Sequence, residues 1–230
     1  MPDMIKKMAV VERSGLFQGL DSSICTYMAS AALFRDYPYQ DAIFVTGDQI
    51  REVLLLAEGR VKLMLFSEGG AEVILRLCVP GEVIYSPALV PEEIYESTAE
   101  TLQACRILAW DARIFQAALG RFPALQSNAK RVLEQQLQEL ERRYCEACTR
   151  KVSPRLALGL LDLLNRIGQE VDGHVEIDLT QESLAQITAM NAATVSRVLA
   201  KWEKIGIVSL RRGAIAVRDV SGLRDLCKFD

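Results

Sequence analysis

Side chains able to grip a polyanion gather in the last third of this chain. In Asn191-Ala-Ala-Thr-Val-Ser-Arg-Val-Leu-Ala-Lys-Trp202, Val195, Val198, Leu199 and Trp202 recur at spacings of three and four, the signature of one helical face. Thr194, Ser196, Arg197, Lys201 and Lys204 fall on the opposite face. A guanidinium among hydroxyls and ammonium groups suits guanine O6 and N7, or phosphate oxygens. Arg211-Arg212-Gly213 follows at a turn and adds two more cations. The remaining reactive residues are sparse. Cys145-Glu-Ala-Cys148 puts two thiols at i and i+3, on one side of a helix, the spacing of a redox pair or a labile metal site. With two ligands and the other cysteines scattered, the pair is expected to be two small, semi-buried helix residues, and no metal site is expected. His174 is the only histidine and is expected at the surface. No Gly-x-Gly-x-x-Gly, P-loop or His–carboxylate metal spacing occurs, so an enzyme is not expected.

The polar face needs elements that hold it outward. Thr180 is a good N-cap, with Gln181, Glu182 and Ser183 in the first turn behind it. Leu184, Ala185 and Ile187 give that short helix an apolar side. Asn191 caps a second helix, Gly206 closes it, and Ile207–Leu210 and Ala214–Val217 alternate around the Arg-Arg-Gly turn as a hairpin does. Two short helices with a tight break, followed by a basic hairpin, make a winged helix-turn-helix, which points to DNA.

Upstream, residues 12–33 are predicted helical, with Asp21-Ser22-Ser23 starting a second helix. From Leu33 the period changes to two. Ala42–Val45, Val53–Ala57, Arg60–Phe66, Glu72–Cys78, Val83–Ile84 and Ala104–Trp110 are predicted strands, and Gly47-Asp48, Glu58-Gly59, Glu68-Gly69-Gly70 and Pro80-Gly81-Glu82 are turns. Many short strands with glycine turns make a sandwich or barrel. A short helix over 111–119 is broken by Phe122-Pro123. A long one then runs from about Ala124 to Thr149, in which Leu133, Leu137, Leu140, Tyr144 and Ala147 step as a coiled-coil seam. Lys151-Val-Ser-Pro154 reads as a hinge, Arg155–Ile167 as a helix, Gly168–Gly173 as a loop and Val175–Leu179 as a strand.

Composition fits this plan. Of the 230 residues, half are hydrophobic and a quarter charged, as in a globular protein. The net charge of −3 is uneven: residues 150–230 hold 12 Lys/Arg against 10 Asp/Glu, and the rest hold 15 against 20. A basic end on an acidic body suits DNA binding at that end. No apolar run approaches the ~20 residues that span a membrane, and the lysines after Met1 precede no signal-peptide core. A cytoplasmic protein with reduced thiols is expected.

Thr-x-x-x-x-Ala followed by Thr-Val-Ser-Arg-Val-Leu, the wing, and the succession of glycine turns over residues 14–115 resemble the Crp/Fnr family of bacterial regulators. The resemblance implies an α+β chain: an N-terminal double-stranded β-roll sensor domain of jelly-roll type, a long dimerisation helix and a C-terminal winged helix-turn-helix. The boundaries it implies are 1–123, 124–151 and 152–230. It implies a homodimer joined through Leu133, Leu137, Leu140, Tyr144 and Ala147, and double-stranded DNA as partner, with RNA polymerase added if the protein activates. In that family a Gly-Glu-Leu turn and an Arg-Ser pair hold the cyclic nucleotide. Here the turn falls at Tyr85-Ser86-Pro87 and the pair at Glu96-Ser97. A carboxylate at the phosphate arginine's place repels a phosphate, so cyclic AMP is not the expected effector and no cofactor is expected. Tyr85, Ser86, Glu96, Ser97 and Thr98 stay as candidate lining for another effector, whose identity the sequence leaves unknown. The family also often has a glutamate four residues before the base-reading arginine, where this chain has Ala193. Its usual half-sites, TGTGA and TTGAT, therefore need not apply. The expected DNA contacts are Thr180, Gln181, Asn191, Ala193, Thr194, Ser196, Arg197, Lys201, Arg211 and Arg212. The competing reading is a regulatory subunit that binds a small ligand with the β-roll and protein with its C-terminal part. Retention on duplex DNA or heparin, lost in salt and in Arg197→Ala, separates the two.

Overall fold

The computed structural model describes residues 2–85 and 94–228. They form two compact units, Met1–Leu65 with Leu75–Glu139, and Phe66–Ile74 with Leu140–Asp230.

The first unit opens with helix α1 (Pro2–Arg13), a 3-10 turn (Gly15–Phe17) and α2 (Ser22–Ala31). Helix α2 begins at the predicted Asp21 cap. The part of the predicted 12–33 stretch that precedes this cap is a 3-10 turn rather than a helix, and Gly19 separates the two at φ 73°, outside the helical region. Helix α1 meets the predicted helical stretch only at Glu12 and Arg13. Strands β1 (Leu33–Tyr37), β2 (Ala42–Phe44), β3 (Glu52–Glu58), β4 (Val61–Phe66), β5 (Glu72–Cys78), β6 (Thr98–Thr101) and β7 (Cys105–Asp111) follow, then α3 (Ala112–Arg121). They make two sheets, ordered β1-β7-β3 and β2-β6-β4-β5, with β1·β7, β3·β7, β2·β6 and β4·β6 antiparallel. Strands β3 and β7 are apolar on both sides because both sides are covered. Val53, Leu55, Leu108 and Trp110 join Val11, Phe17, Met28 and Phe115 from the helices. Their alternates Leu54, Leu56, Ile107 and Ala109 join Phe44, Val61, Leu63 and Tyr95 between the sheets. Trp110 Nε1 donates to the Met28 carbonyl at 2.7 Å, so the buried indole keeps a partner.

Two strands differ from expectation. Val83–Ile84 forms only an isolated bridge, Val83 to Leu55. Strand β6 escapes prediction because Thr98-Ala-Glu-Thr101 is polar, yet Thr101 is fully buried. Its hydroxyl donates to the Pro38 carbonyl at 2.6 Å and accepts from the Asp41 N–H at 2.9 Å, and those bonds make its burial tolerable.

Helix α4 (Pro123–Thr149) is the predicted long helix. In the first unit, Asn128 Nδ2 and an Arg131 guanidinium nitrogen donate to the carbonyls of Gln18 and Gly15, each at 2.9 Å.

The second unit contains α5 (Val152–Ile167), β8 (Gln169–Val171), β9 (His174–Ile177), α6 (Gln181–Ile187), α7 (Ala192–Lys204), β10 (Val208–Arg211), β11 (Ala214–Val217) and α8 (Val220–Leu226). Pro154 lies inside the first turn of α5, where its missing N–H costs nothing, so the helix starts three residues before the predicted Arg155. The Gly168–Gly173 stretch holds strand β8 rather than only a loop. The sheet order is β10-β11-β9-β8. Ile177, Ile215 and Val217 of its inner face are buried, as are Leu156, Leu160, Leu163, Leu184, Val195, Leu199 and Trp202 of the helices.

The β3–β4 turn yields a stability test. Gly59 has φ 96°, and a Cβ there would lie 2.5 Å from Cys105 Sγ and 2.7 Å from the Ala104 carbonyl oxygen. Backbone strain and the clash together should make Gly59→Ala cost about 2–4 kcal/mol. Urea unfolding checks this, and a loss below about 0.5 kcal/mol would contradict the packing described.

Candidate nucleic-acid interface

Helix α6 is short, and its N-terminus is held by Thr180, whose Oγ1 accepts from the Ser183 N–H at 3.0 Å. At the other end the Thr188 hydroxyl donates to the Leu184 carbonyl at 2.8 Å. Gly159 of α5 gives Thr188 its space, since a Cβ at 159 would lie 2.6 Å from Thr188 Cγ2. The break between α6 and α7 turns on Ala189 at φ 51°, a left-handed residue without glycine. The Met190 N–H closes it by donating to the Ala185 carbonyl at 2.9 Å. Asn191 then caps α7, its Oδ1 accepting from the Ala193 N–H at 2.9 Å. Among the expected DNA contacts, Thr180 and Asn191 thus have their side-chain oxygens engaged in capping.

Val195, Leu199 and Trp202 are buried, and they fix the rotation of α7. Ala193, Ser196, Arg197, Lys201 and Lys204 consequently face solvent, with Thr194 half-buried at the edge. Arg197 makes no hydrogen bond or ion pair to any described residue, so its guanidinium is available to an incoming ligand. Gln181 is half-buried.

The end of α7 is tied to the wing. Glu203 Oε1 accepts from the Leu210 N–H at 2.8 Å, and the Ile207 N–H donates to the Trp202 carbonyl at 2.9 Å. Arg211 pairs with Ala214 across the hairpin, leaving Arg212 and Gly213 (φ 80°) at the tip. Arg212 is exposed, whereas Arg211 donates to Glu176 Oε2 at 2.9 Å. Glu176, Glu203 and Arg218 escape the sequence reading. The alternation of His174 and Glu176 on one side of β9 is the signal available for the first. His174 itself is buried, not at the surface, with 6% of its area exposed. An Arg218 guanidinium nitrogen lies 3.0 Å from its Nδ1.

On α4, Leu137, Leu140 and Tyr144 are exposed, Tyr144 to 71%, while Leu133 and Ala147 are half-buried. Cys145 and Cys148 are both exposed rather than semi-buried. Burial pushes the thiols of Cys25, Cys105 and Cys227 above their ordinary range, which keeps them protonated and unreactive. Among the described residues, no three His, Cys, Asp or Glu side chains gather as a metal site.

The candidate effector residues divide. Ser86 lies outside the described residues. The Tyr85 ring meets Phe44 and Tyr95 edge-on at 5.8 and 5.0 Å. Thr98 Oγ1 accepts from the Thr46 N–H at 3.2 Å. Glu96 is exposed. Ser97 is buried, and its Oγ has no hydrogen-bond partner among the described residues. Two cavities lie in the same unit. One of about 410 Å³ is lined by Tyr37, Phe44, Asp48, Arg51 and Tyr95 among others. The other, of about 250 Å³, is lined by Ser14, Arg76, Glu82, Gln135 and Glu139 among others. None of the four described effector candidates lines either one.

Two β-sheets packed face to face, a long helix and a winged helix-turn-helix define the class of DNA-binding regulators. Comparison with known proteins agrees. Residues 34–122 match the cyclic nucleotide-binding domain, and residues 154–226 match the Crp-like helix-turn-helix domain. The chain is 24% identical over 212 residues to a CRP-like cAMP-activated global transcriptional regulator of Mycobacterium tuberculosis, covering 91% of this chain and 95% of that one. It is 28% identical over 214 residues to the cyclic AMP receptor protein of Thermus thermophilus, covering 93% and 96%. A solved CRP/FNR-family transcriptional regulator from Thermus thermophilus superposes with TM-score 0.71 at 25% identity, covering 86% of this chain and 99% of that one. The chain belongs to the Crp/Fnr family: it is a transcription regulator with a DNA-binding helix-turn-helix. No described helix is long and apolar enough to cross a membrane.

Exposure sets the thiol prediction. In the native protein, Cys145 and Cys148 should react with a thiol reagent first, and the buried Cys25, Cys78 and Cys105 only on unfolding. Changing both exposed cysteines to serine, with the half-buried Cys227 also changed to serine in the background, should remove the fast phase; a fast phase that persists would mean that buried thiols are reached. A bridge between the two would distort the helix, so a thiol switch would show as lost helicity and altered DNA affinity on mild oxidation.

Proposed function

We propose that the protein works as a cytoplasmic homodimer on a two-fold symmetric DNA site, with one α7 helix from each subunit in successive major grooves about 34 Å apart. The observation that carries this reading is Arg197, exposed and unpartnered on the outward face of α7. Its planar guanidinium can take guanine O6 and N7 together, with Ser196 and Thr194 beside it. Thr180, Gln181, Arg211 and Arg212 hold phosphates and fix register without reading sequence. Asn191 starts the helix at the DNA, and Lys201 adds a cation further along it. Ala193 offers a methyl group, suited to a thymine methyl rather than a cytosine amine. The exposed Leu137, Leu140 and Tyr144, with Leu133 and Ala147, form the seam on which a second copy packs. The domain division at 123/124 and 151/152 follows from that role for α4. If the protein activates transcription, RNA polymerase is its further partner.

Two of the relatives bear names that tie them to cyclic AMP. This chain carries Glu96 at the position where the family's arginine meets the cyclic phosphate, and like charges repel there. We infer an effector other than cyclic AMP. Millimolar cyclic AMP should leave the melting temperature unchanged, because only a ligand that binds the native state raises it. A saturable rise of several degrees would overturn that inference.

Arg197→Ala should lower specific affinity by about 1–3 kcal/mol and flatten the preference at one base pair per half-site. Ala193→Glu should restore an acceptor for a cytosine amine and shift the preferred half-site. Selection from random duplexes measures both. If Arg197→Ala keeps the wild-type preference, α7 is not the base-reading helix.

A further inference from the structure

The wing sheet has a polar outer face whose charges are not equally available. Strand alternation puts His174 and Glu176 of β9 on the side opposite the core-facing Ile177. On β10, Arg211 sits over the same face, and its guanidinium donates to Glu176 Oε2 at 2.9 Å. Glu176 has a second neighbour. His174 Nε2 is buried, has no hydrogen-bond partner among the described residues, and lies 3.6 Å from the same carboxylate oxygen. The imidazole is fixed in turn by Arg218, 3.0 Å from Nδ1. Arginine only donates, so Nδ1 is the acceptor in that contact, and Nε2 is the ring nitrogen that faces Glu176. Glu176 thus stands between a buried ring and a guanidinium, with its side chain 21% exposed against 46% for Arg211. Arg212, the next residue, is exposed and makes no contact of this kind.

We propose that Glu176 is a positioning residue that acts as an internal surrogate for DNA phosphate: it holds Arg211 in place and offsets its charge until the backbone of a duplex displaces it. The inference rests on the reading that the wing arginines meet phosphates. A carboxylate and a phosphate present similar acceptor oxygens to a guanidinium. When Arg211 moves from Glu176 to DNA, one anion replaces another, and the freed carboxylate attracts a cation from solution. That uptake cancels the counterion released from the DNA, so Arg211 contributes little to the salt dependence of binding. Arg212 has no such partner and contributes in full. Two adjacent arginines of one turn therefore differ in what they do.

The test is fluorescence anisotropy of full-length protein on a duplex of arbitrary sequence across a salt series. Arg212→Gln should reduce the slope of log K against log salt by about one, and Arg211→Gln by clearly less. Glu176→Gln should raise affinity roughly two- to fivefold and steepen the slope by about one. Glu176→Thr, which suits a strand, should do the same and guards against a variant-specific change of the wing. The double variant Glu176→Gln/Arg211→Gln should match Arg211→Gln alone. If the Glu176→Gln effect persists in full without Arg211, it is a long-range charge effect and the surrogate role is wrong. If Arg211→Gln weakens binding while both Glu176 variants leave the slope unchanged, the surrogate role alone fails. If Arg211→Gln changes nothing in either background, the phosphate assignment of Arg211 fails and the proposal falls with it.

Discussion

The rotation of α7 about its own axis is fixed by three side chains. Val195, Leu199 and Trp202 are buried, and each stabilises that orientation by about 1.5–3 kcal/mol relative to exposure. A turn of about 100°, one residue's worth of helix, would expose part of this stripe. It would also carry Arg197 toward the core, where an unpaired guanidinium is not tolerated. The direction of Arg197 is therefore set by residues buried in the core. The neighbours serve the same end. Gly159 admits Thr188, Thr188 ends α6, and left-handed Ala189 lets Asn191 begin α7 at once. Glu203 then binds the wing strand to the far end of the helix, so hairpin and helix present their cations from one frame.

The parts of this architecture that are legible in the sequence are those where one residue type decides one conformation. The caps Thr180 and Asn191 and the stop at Gly206 are such cases. The strand-rich character of residues 42–111 is legible for a different reason: runs such as Val53-Leu-Leu-Leu-Ala57 are too apolar for a sheet with a wet side. What is lost depends on partners distant in sequence. Strand β6 is polar, and its Thr101 is buried only because the 38–41 turn supplies hydrogen bonds. His174 reads as a loop residue because nothing local announces Arg218, 44 positions away. The pairing of Arg211 with Glu176 across 35 positions is hidden in the same way.

Charge placement follows a related logic. The acidic excess lies outside residues 150–230, yet net charge says little about how the basic end behaves. Arg197 and Arg212 are open, Arg211 is paired with Glu176, and Arg218 is engaged with a buried imidazole. A count of cations treats these four as equal. Their surroundings divide them into groups ready for a nucleic acid and groups already occupied, and only the first kind adds directly to long-range attraction.

Ser97 carries the same argument into the sensor unit. Of the hydroxyls at 97, 98 and 101, those of Thr98 and Thr101 bond to backbone groups. Ser97 Oγ, equally enclosed, bonds to nothing among the described residues. A buried hydroxyl left without a partner costs about 1–3 kcal/mol, a cost that these bonds avoid at Thr98 and Thr101. Glu96, the preceding residue, is exposed, and neither it nor Ser97 lines the cavity beside Phe44 and Tyr95 or the one beside Arg76 and Glu139. The hydroxyls at 98 and 101 are therefore accounted for by the strands around them, and the one at 97 by no group among the described residues.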